Sequence, residues 1–317
     1  MIGIQSAVDP AGPQSARIYN LGVVFTIVCV AVYVITLLFV FIAVIKSRRR
    51  PLAPRIDDRT ERRLSIAVST GAGLTIVILI GLLVASVATG RGVGRFATDK
   101  PLEIVVTGHQ WWWEINYTDP ESDKSFHTAN EIHVPTGRQV LVRLATHDVI
   151  HSLWIPNLAG KLDLIPGRVN KLLLQADRAG VYRGQCAEYC GMQHANMALV
   201  VVAERPEEFE RWKTHQQTPA PDPQTEGERR GQQAFLRLPC VNCHAITGTD
   251  AYASLGPDLT HLASRRTLAA GTIGNSRDNL ARWIVNAPAI KPGNQMPPNV
   301  MSGEELRDLV AYLESLR

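Results

Sequence analysis

The spacing of hydrophobic residues changes from one segment of the chain to the next. Residues 21–45 (LGVVFTIVCVAVYVITLLFVFIAVI) and 64–89 (LSIAVSTGAGLTIVILIGLLVASVAT) contain no charged residue. Each run exceeds the roughly 20 apolar residues that a helix needs to cross the hydrocarbon core of a bilayer. A core helix of a soluble protein of that length would keep a polar face. Two membrane-spanning helices are therefore expected, at about 21–45 and 64–89. From 102 to 204 the apolar residues come in short runs rich in Val, Ile, Leu or aromatics: LEIVVTG, WWWEINY, EIHVPTG, RQVLVRLAT, NKLLLQA and ALVVVAE. Gly, Pro, Asn and Asp separate them at close intervals, the pattern of a β-sandwich or barrel. The segment HQQTPAPDPQTEGE (215–228) reads as an extended linker. Helical spacing returns at the end of the chain. There Ser302 and Glu305 are placed for a capping box, and Leu306, Leu309, Val310, Leu313 and Leu316 line one face. The expected fold is multidomain: an anchor segment (1–95) with a two-helix hairpin, a β-sandwich domain (96–214), a linker (215–228) and a small all-α domain (229–317).

At 317 residues the chain is long enough for two or three domains, and its net charge of +4 hides an asymmetry. The loop between the apolar runs, residues 46–63, holds eight Lys/Arg against three Asp/Glu. Short basic loops stay on the cytoplasmic side, so both termini and both later domains are expected on the outer face. No basic stretch directly precedes the first apolar run, so no cleavable signal is expected. Membrane lipid is the implied surroundings, and no nucleic-acid partner is indicated.

Of the five cysteines, Cys29 lies inside the first apolar run. The others form two close pairs in the exported part, where a disulfide would be the default. The neighbours of each pair point elsewhere. Cys240-Val-Asn-Cys243-His244 has the spacing of covalent c-type haem attachment: two thiols reach the two vinyl groups of one porphyrin, and the adjacent imidazole lies under the iron. A zinc site would want two more ligands nearby, and this domain offers only His261. A Met thioether as sixth ligand raises the potential into the respiratory range. Met296, 52 residues beyond His244 in Lys-Pro-Gly-Asn-Gln-Met-Pro, is favoured over Met301 for that position. This part resembles class I cytochrome c, which has its Met in a Pro-rich loop before a C-terminal helix. Gly256-Pro257-Asp258-Leu259 and Trp283 also stand where that family has similar residues.

The β region ends in a denser group, Gly-Gln-Cys186-Ala-Glu188-Tyr-Cys190-Gly-Met-Gln-His194-Ala-Asn-Met197, with His151 upstream at the end of an expected strand. Soft thiolates with imidazole and thioether select copper. One Cys would make a mononuclear site. A second Cys suggests two thiolates bridging two copper ions, each ion with one terminal His, and Met197 and a backbone carbonyl in the remaining positions. A bridged pair of this kind changes geometry little on gaining an electron, which suits transfer rather than catalysis. The bland alternative is a Cys186–Cys190 disulfide.

Residues 20–205 resemble subunit II of the haem-copper cytochrome c oxidases, a two-helix anchor with a cupredoxin domain that carries the dinuclear copper centre, CuA. The matching residues are His151, Cys186, Glu188, Cys190, His194 and Met197. The resemblance gives Glu188 two roles: its carbonyl binds one copper, and its side chain reaches a magnesium shared with subunit I. It also makes Trp111, first of the aromatic stretch after Gly-His-Gln, the residue where electrons enter from cytochrome c. With a cytochrome c domain fused behind, the whole chain resembles the caa-type oxidases of the bacterial inner membrane. Subunits I and III are then the implied partners, and a cytochrome c or a cytochrome bc complex the implied donor. Electrons would pass from haem to copper to subunit I, where oxygen is reduced, so this chain counts as an enzyme only within the complex. One departure is notable. Relatives often have a Glu near the start of the second span, at the mouth of a proton path, where this chain has Ser65, with Glu61 one turn earlier. Two rivals are kept: the electron-transfer subunit of a nitric oxide reductase with the same copper domain, and a membrane-anchored copper-delivery factor. The latter would lack His194, Met197 and the haem.

Overall fold

The computed structural model describes residues 5–48, 58–94, 101–118 and 124–317. It divides into two units, one of Ala16–Arg95 and one of Met1–Ser15 with Phe96–Arg317. In the first unit, α1 (Pro13–Arg48) and α2 (Asp58–Val93) are 36 residues each, longer than the uncharged runs they contain. The additional turns carry the charges: Arg17, Lys46 and Arg48 in α1, and Asp58, Arg59, Glu61, Arg62, Arg63 and Arg91 in α2. Helix formation is not limited to the apolar span, so the charged residues extend each helix beyond it. Their apolar surfaces are not covered by other described residues, and both helices are long and apolar enough to cross a membrane. Much of the basic loop, residues 49–57, lies outside the described residues.

The second unit begins with the β domain. Ten strands follow in order: β1 (Leu102–His109), β2 (Trp112–Tyr117), β3 (Phe126–Ala129), β4 (Glu131–Pro135), β5 (Val140–Thr146), β6 (His151–Trp154), β7 (Leu162–Leu164), β8 (Asn170–Leu174), β9 (Gly180–Cys186) and β10 (Ala198–Glu204). They form two five-stranded sheets, in the orders β3-β2-β1-β5-β8 and β4-β10-β9-β6-β7. Strand β1 alternates buried and half-buried residues, so Leu102, Ile104 and Val106 face the interior. They meet Trp113, Ile115, Leu144, Leu153 and Leu164, all fully buried, and each such side chain contributes about 1.5–3 kcal/mol. The N-terminal residues pack on this domain as well. Buried Asn157 accepts from the Ser6 amide at 2.9 Å and donates to the Asp9 carbonyl at 2.8 Å, and the Asp177 amide reaches the Ala11 carbonyl at 2.8 Å.

Pairing within the second sheet positions the metal-ligand candidates. Strands β6 and β9 are antiparallel with Leu153 opposite Cys186, and β9 and β10 are antiparallel with Gln185 opposite Ala198. His151 at the start of β6 therefore lies beside the loop 186–197 that joins β9 to β10.

Helix α3 (Pro206–Gln216) closes the β domain. Its Trp212 stacks on His133 with ring centroids 4.0 Å apart. The His133 ring bonds Glu131 at 3.0 Å and Glu204 at 3.2 Å. Burial works against charge on this ring, but the two carboxylates outweigh it and its pKa is raised above 6.5. Because the folded value exceeds the unfolded one, the cluster stabilises fully below pH 6.5 and loses that contribution as pH rises through the folded value. His133→Gln is thus expected to lower the melting temperature more at mildly acidic than at alkaline pH. Equal losses at both would contradict a charged His133.

The helical part contains α4 (Glu226–Arg237), α5 (Arg277–Val285), α6 (Ala287–Ile290) and α7 (Gly303–Ser315) around Phe235, Ile246, Leu280, Ile284, Tyr312 and Leu313. Helix α4 lies close against α7: a Cβ at Gly231 would stand 2.0 Å from the Asp308 carbonyl oxygen. Only half of the expected capping box forms. Ser302 accepts from the Glu305 amide at 3.1 Å, while the Glu305 carboxylate pairs with Arg237 of α4. The cross-helix ion pair replaces the return bond.

Candidate metal centre and haem-binding segment

The loop after β9 folds its side chains onto two sulfur atoms. Cys186 and Cys190 are free thiols with Sγ atoms 3.7 Å apart. His151 Nδ1 lies 3.8 Å from Cys186 Sγ, and the Glu188 carbonyl oxygen lies 3.2 Å from it. His194 Nδ1 is 3.6 Å and Met197 Sδ 3.8 Å from Cys190 Sγ. The ligand atoms of His151, Cys186 and Cys190 all lie within 4.8 Å of one another, close enough to share a metal ion. The structure thus gathers the six sequence-predicted copper residues, with Glu188 contributing its backbone oxygen. Donation from Cys190 holds the Cys186 thiol down to about 3, and the same pairing holds the Cys190 thiol up. A buried pair sharing one proton is suited to losing it to a soft metal. The Glu188 side chain points outward, 4.0 Å from Lys161 Nζ.

The surroundings fix these ligands through residues that the sequence reading missed. Asp148 Oδ1 takes the Nε2 hydrogen of His151 at 2.8 Å, which leaves Nδ1 as the lone-pair nitrogen facing the sulfurs. Asp148 is held in turn by the amides of Gln110 at 2.7 Å and Val149 at 2.6 Å. A carboxylate three residues before the histidine was the signal available in the sequence. A carboxylate that holds a ligating imidazole in this way is worth roughly 10–100-fold in metal affinity. Asp148→Ala is therefore expected to weaken copper retention by about that factor, measured by competition with a chelator. Retention equal to the parent would mean that packing alone orients His151. Above the second thiolate, the Cys190 carbonyl accepts from Trp111 Nε1 at 2.9 Å and from Gln110 Nε2 at 2.7 Å.

A 3₁₀ turn (Pro239–Asn242) opens the Cys240–His244 segment, and the amides of Cys243 and His244 bond to the Cys240 carbonyl at 3.1 and 3.0 Å. The two thiols are free and half-buried. His244 donates Nδ1–H to the Pro257 carbonyl at 2.7 Å, which leaves Nε2 to act as a ligand. Gly256 allows this: a Cβ there would stand 2.7 Å from the imidazole. Burial pulls the His244 pKa down and keeps the ring neutral. Nearby, Arg265 is buried, with one donor on the Asp258 carbonyl and its Nε without a partner. A buried cation with a spare donor fits a group bearing carboxylates, as haem does. Met301 packs against the helical core, whereas half-buried Met296 lies in the loop between α6 and α7, its amide bonded to Asn294.

Comparison with known proteins identifies both halves. The family described as cytochrome c oxidase subunit II, periplasmic domain, matches residues 120–204, and the cytochrome c family matches residues 228–317. Cytochrome c oxidase subunit 2 of Alkalihalophilus pseudofirmus is 34% identical over 98% of this chain and 91% of its own length. The chain belongs to the cytochrome c oxidase subunit II family. The subunit of the same name from Bacillus subtilis is 29% identical over 98% of this chain and 92% of its own. Among solved structures, the periplasmic domain of subunit II of cytochrome oxidase from Bradyrhizobium japonicum is 30% identical, covering 38% of this chain and 96% of that one, with a TM-score of 0.36. The architecture is accordingly two apolar helices, a cupredoxin-like domain and a helical cytochrome c domain. The first domain takes copper and the second haem c, in a chain that serves electron transfer within a haem-copper terminal oxidase.

Proposed function

We propose that Cys186 and Cys190, together with His151, His194, Met197 and the Glu188 carbonyl, would hold a dinuclear copper centre. The observation that carries this is the convergence of those four donor atoms on the two thiols at 3.2 to 3.8 Å. Haem c would be held by Cys240, Cys243, His244 and Met296. When bound, the two groups would supply one-electron chemistry, and the chain would serve to pass electrons from a cytochrome c donor by way of its haem and copper residues to subunit I, where oxygen is reduced to water. The protein's own part is to keep the ligands fixed. Asp148 sets the tautomer of His151, and the Pro257 carbonyl sets that of His244. Burial excludes water from both thiols of the copper pair.

Trp111 is the proposed point of electron transfer into the copper centre. Its indole bonds the Cys190 carbonyl and lies between two glycines: a Cβ at Gly191 would stand 3.1 Å from the ring, and one at Gly293 would stand 3.5 Å from it. Gly191 follows a copper ligand, and Gly293 lies three residues before Met296. The ring therefore touches both the copper loop and the haem loop of the same chain. The outward side chain of Glu188 is assigned to a magnesium site against subunit I. The anchor is placed in the bacterial inner membrane, with both termini and residues 96–317 on the periplasmic side. The deciding experiment is electron paramagnetic resonance of the intact complex. An electron shared by two copper nuclei gives a seven-line hyperfine pattern, and a four-line pattern from one nucleus would overturn the dinuclear assignment.

A further inference from the structure

The cytochrome c domain rests on the copper domain through a buried lysine. Lys291 is 2% exposed, and its ammonium group donates to three backbone carbonyls, those of Trp111 at 2.7 Å, Asn196 at 2.8 Å and Ala269 at 3.0 Å. The first two belong to the copper domain, one at the aromatic stretch and one beside the ligand Met197. The third belongs to the haem domain. A lysine has three hydrogens to donate, and all three are used. Further bonds surround it: Gln193 Nε2 to the Pro292 carbonyl at 2.9 Å, the Ala198 amide to the Ala270 carbonyl at 2.9 Å, and the Arg266 amide to Glu131 at 3.0 Å. At Gly271 the backbones approach so closely that a Cβ would stand 2.9 Å from the Ala198 side chain.

Burying an ammonium group is costly unless every hydrogen finds an acceptor, and the full set exists only when the two domains are in contact. We propose that Lys291 is the positioning residue that fixes the haem domain on the copper domain, holding the loop of Met296 against Trp111 so that transfer inside the chain runs from one docked arrangement. This rests on the assignment of the two redox groups above, although the docking itself can be tested without it. The fused domain then covers the face of Trp111, and a soluble donor reaches the copper centre only through the haem.

The test uses the full chain in its oxidase complex with Lys291→Met, which keeps the length of the side chain and removes its donors. Amide hydrogen exchange at Ala198, whose N–H crosses the interface, is expected to speed up at least about ten-fold as the docked state loses its buried bonds. Transfer from flash-reduced haem to copper is expected to slow at least about ten-fold, with both optical spectra unchanged. Gly271→Leu, which sets a side chain against Ala198 on a backbone at φ +77°, should reproduce both effects by disrupting the same face. Unchanged exchange and rate in Lys291→Met would overturn the proposal, as would loss of the methionine–iron band, which would place Lys291 in loop folding. If the parent's haem passed no electron to copper, the functional assignment would fail, and the exchange result would still decide the docking.

Discussion

Cys190→Ser is expected to stop oxygen consumption fed by a cytochrome c donor while leaving the haem of the same chain reducible. In the proposed centre Cys190 Sγ would be shared, since it lies 3.7 Å from Cys186 Sγ, 3.6 Å from His194 Nδ1 and 3.8 Å from Met197 Sδ. A serine hydroxyl is a hard, poorly ionised donor, and soft copper sites select thiolate. Its backbone carbonyl, which Trp111 and Gln110 hold, is untouched by the change. The fold should survive, because the residue is one small buried side chain in a well-paired loop. Turnover should drop below about one hundredth of the parent, more than the roughly 10–100-fold typical of losing a residue that only orients a ligand. Optical spectra should still show the haem reduced by its donor, now trapped in that state under oxygen, and copper content should fall. Turnover near the parent's value with copper absent would remove the centre from the electron path.

The features legible in the sequence are those encoded by neighbours along it. The alternation of Leu102, Ile104 and Val106 is a local pattern, and it gave the strand and its buried face. The spacings within 186–197 and 240–244 are local patterns along the chain, and the fold brings the side chains of His151, Cys186, Cys190, His194 and Met197 together. Asp148 was less visible, since one carboxylate near a histidine is common, and its role depends on the Gln110 amide from another strand end. Lys291 was not visible at all. Its partner at Trp111 is 180 residues away, and its acceptors are carbonyls, which carry no sequence signature. The packing of residues 5–15 on the β domain was hidden for the same reason, because its bonds run largely through main-chain atoms. The helix ends differ from the apolar runs because charged residues continue a helix outside the membrane as readily as apolar ones. Extended on sequence alone, 215–228 is partly helical: α3 runs through Gln216 and α4 begins at Glu226, where Thr225 caps it by accepting from the Glu228 amide.

The second large effect is expected from Met296→Ala, a fall in haem potential with the copper spectrum unchanged. Two methionines compete for the sixth position, and their packing separates them. Met301 packs against the helical core and its thioether already has apolar neighbours. Met296 is half-buried in the loop between α6 and α7, which Asn299 secures through bonds to the carbonyls of Ile284 and Pro297. A thioether outside the helical core cluster, on a pinned loop, would be available to a haem that His244 also holds. Methionine as axial ligand favours reduced iron, so removing it should lower the potential by a sizeable part of the roughly 0.8 V over which axial ligands tune haem. A fall of that size would leave the haem a stronger reductant but a poor acceptor from its own donor, and turnover would drop at the first step. Met301→Ala should leave the potential unchanged and cost stability instead, up to about the 2 kcal/mol low end for core truncations, since Met301 is only partly buried. Redox titration of both variants, with the methionine–iron absorption band as a second readout, separates the two. Loss of that band in Met301→Ala alone would exchange their roles, and would make the contact of Gly293 with Trp111 a packing contact rather than part of the route from haem to copper.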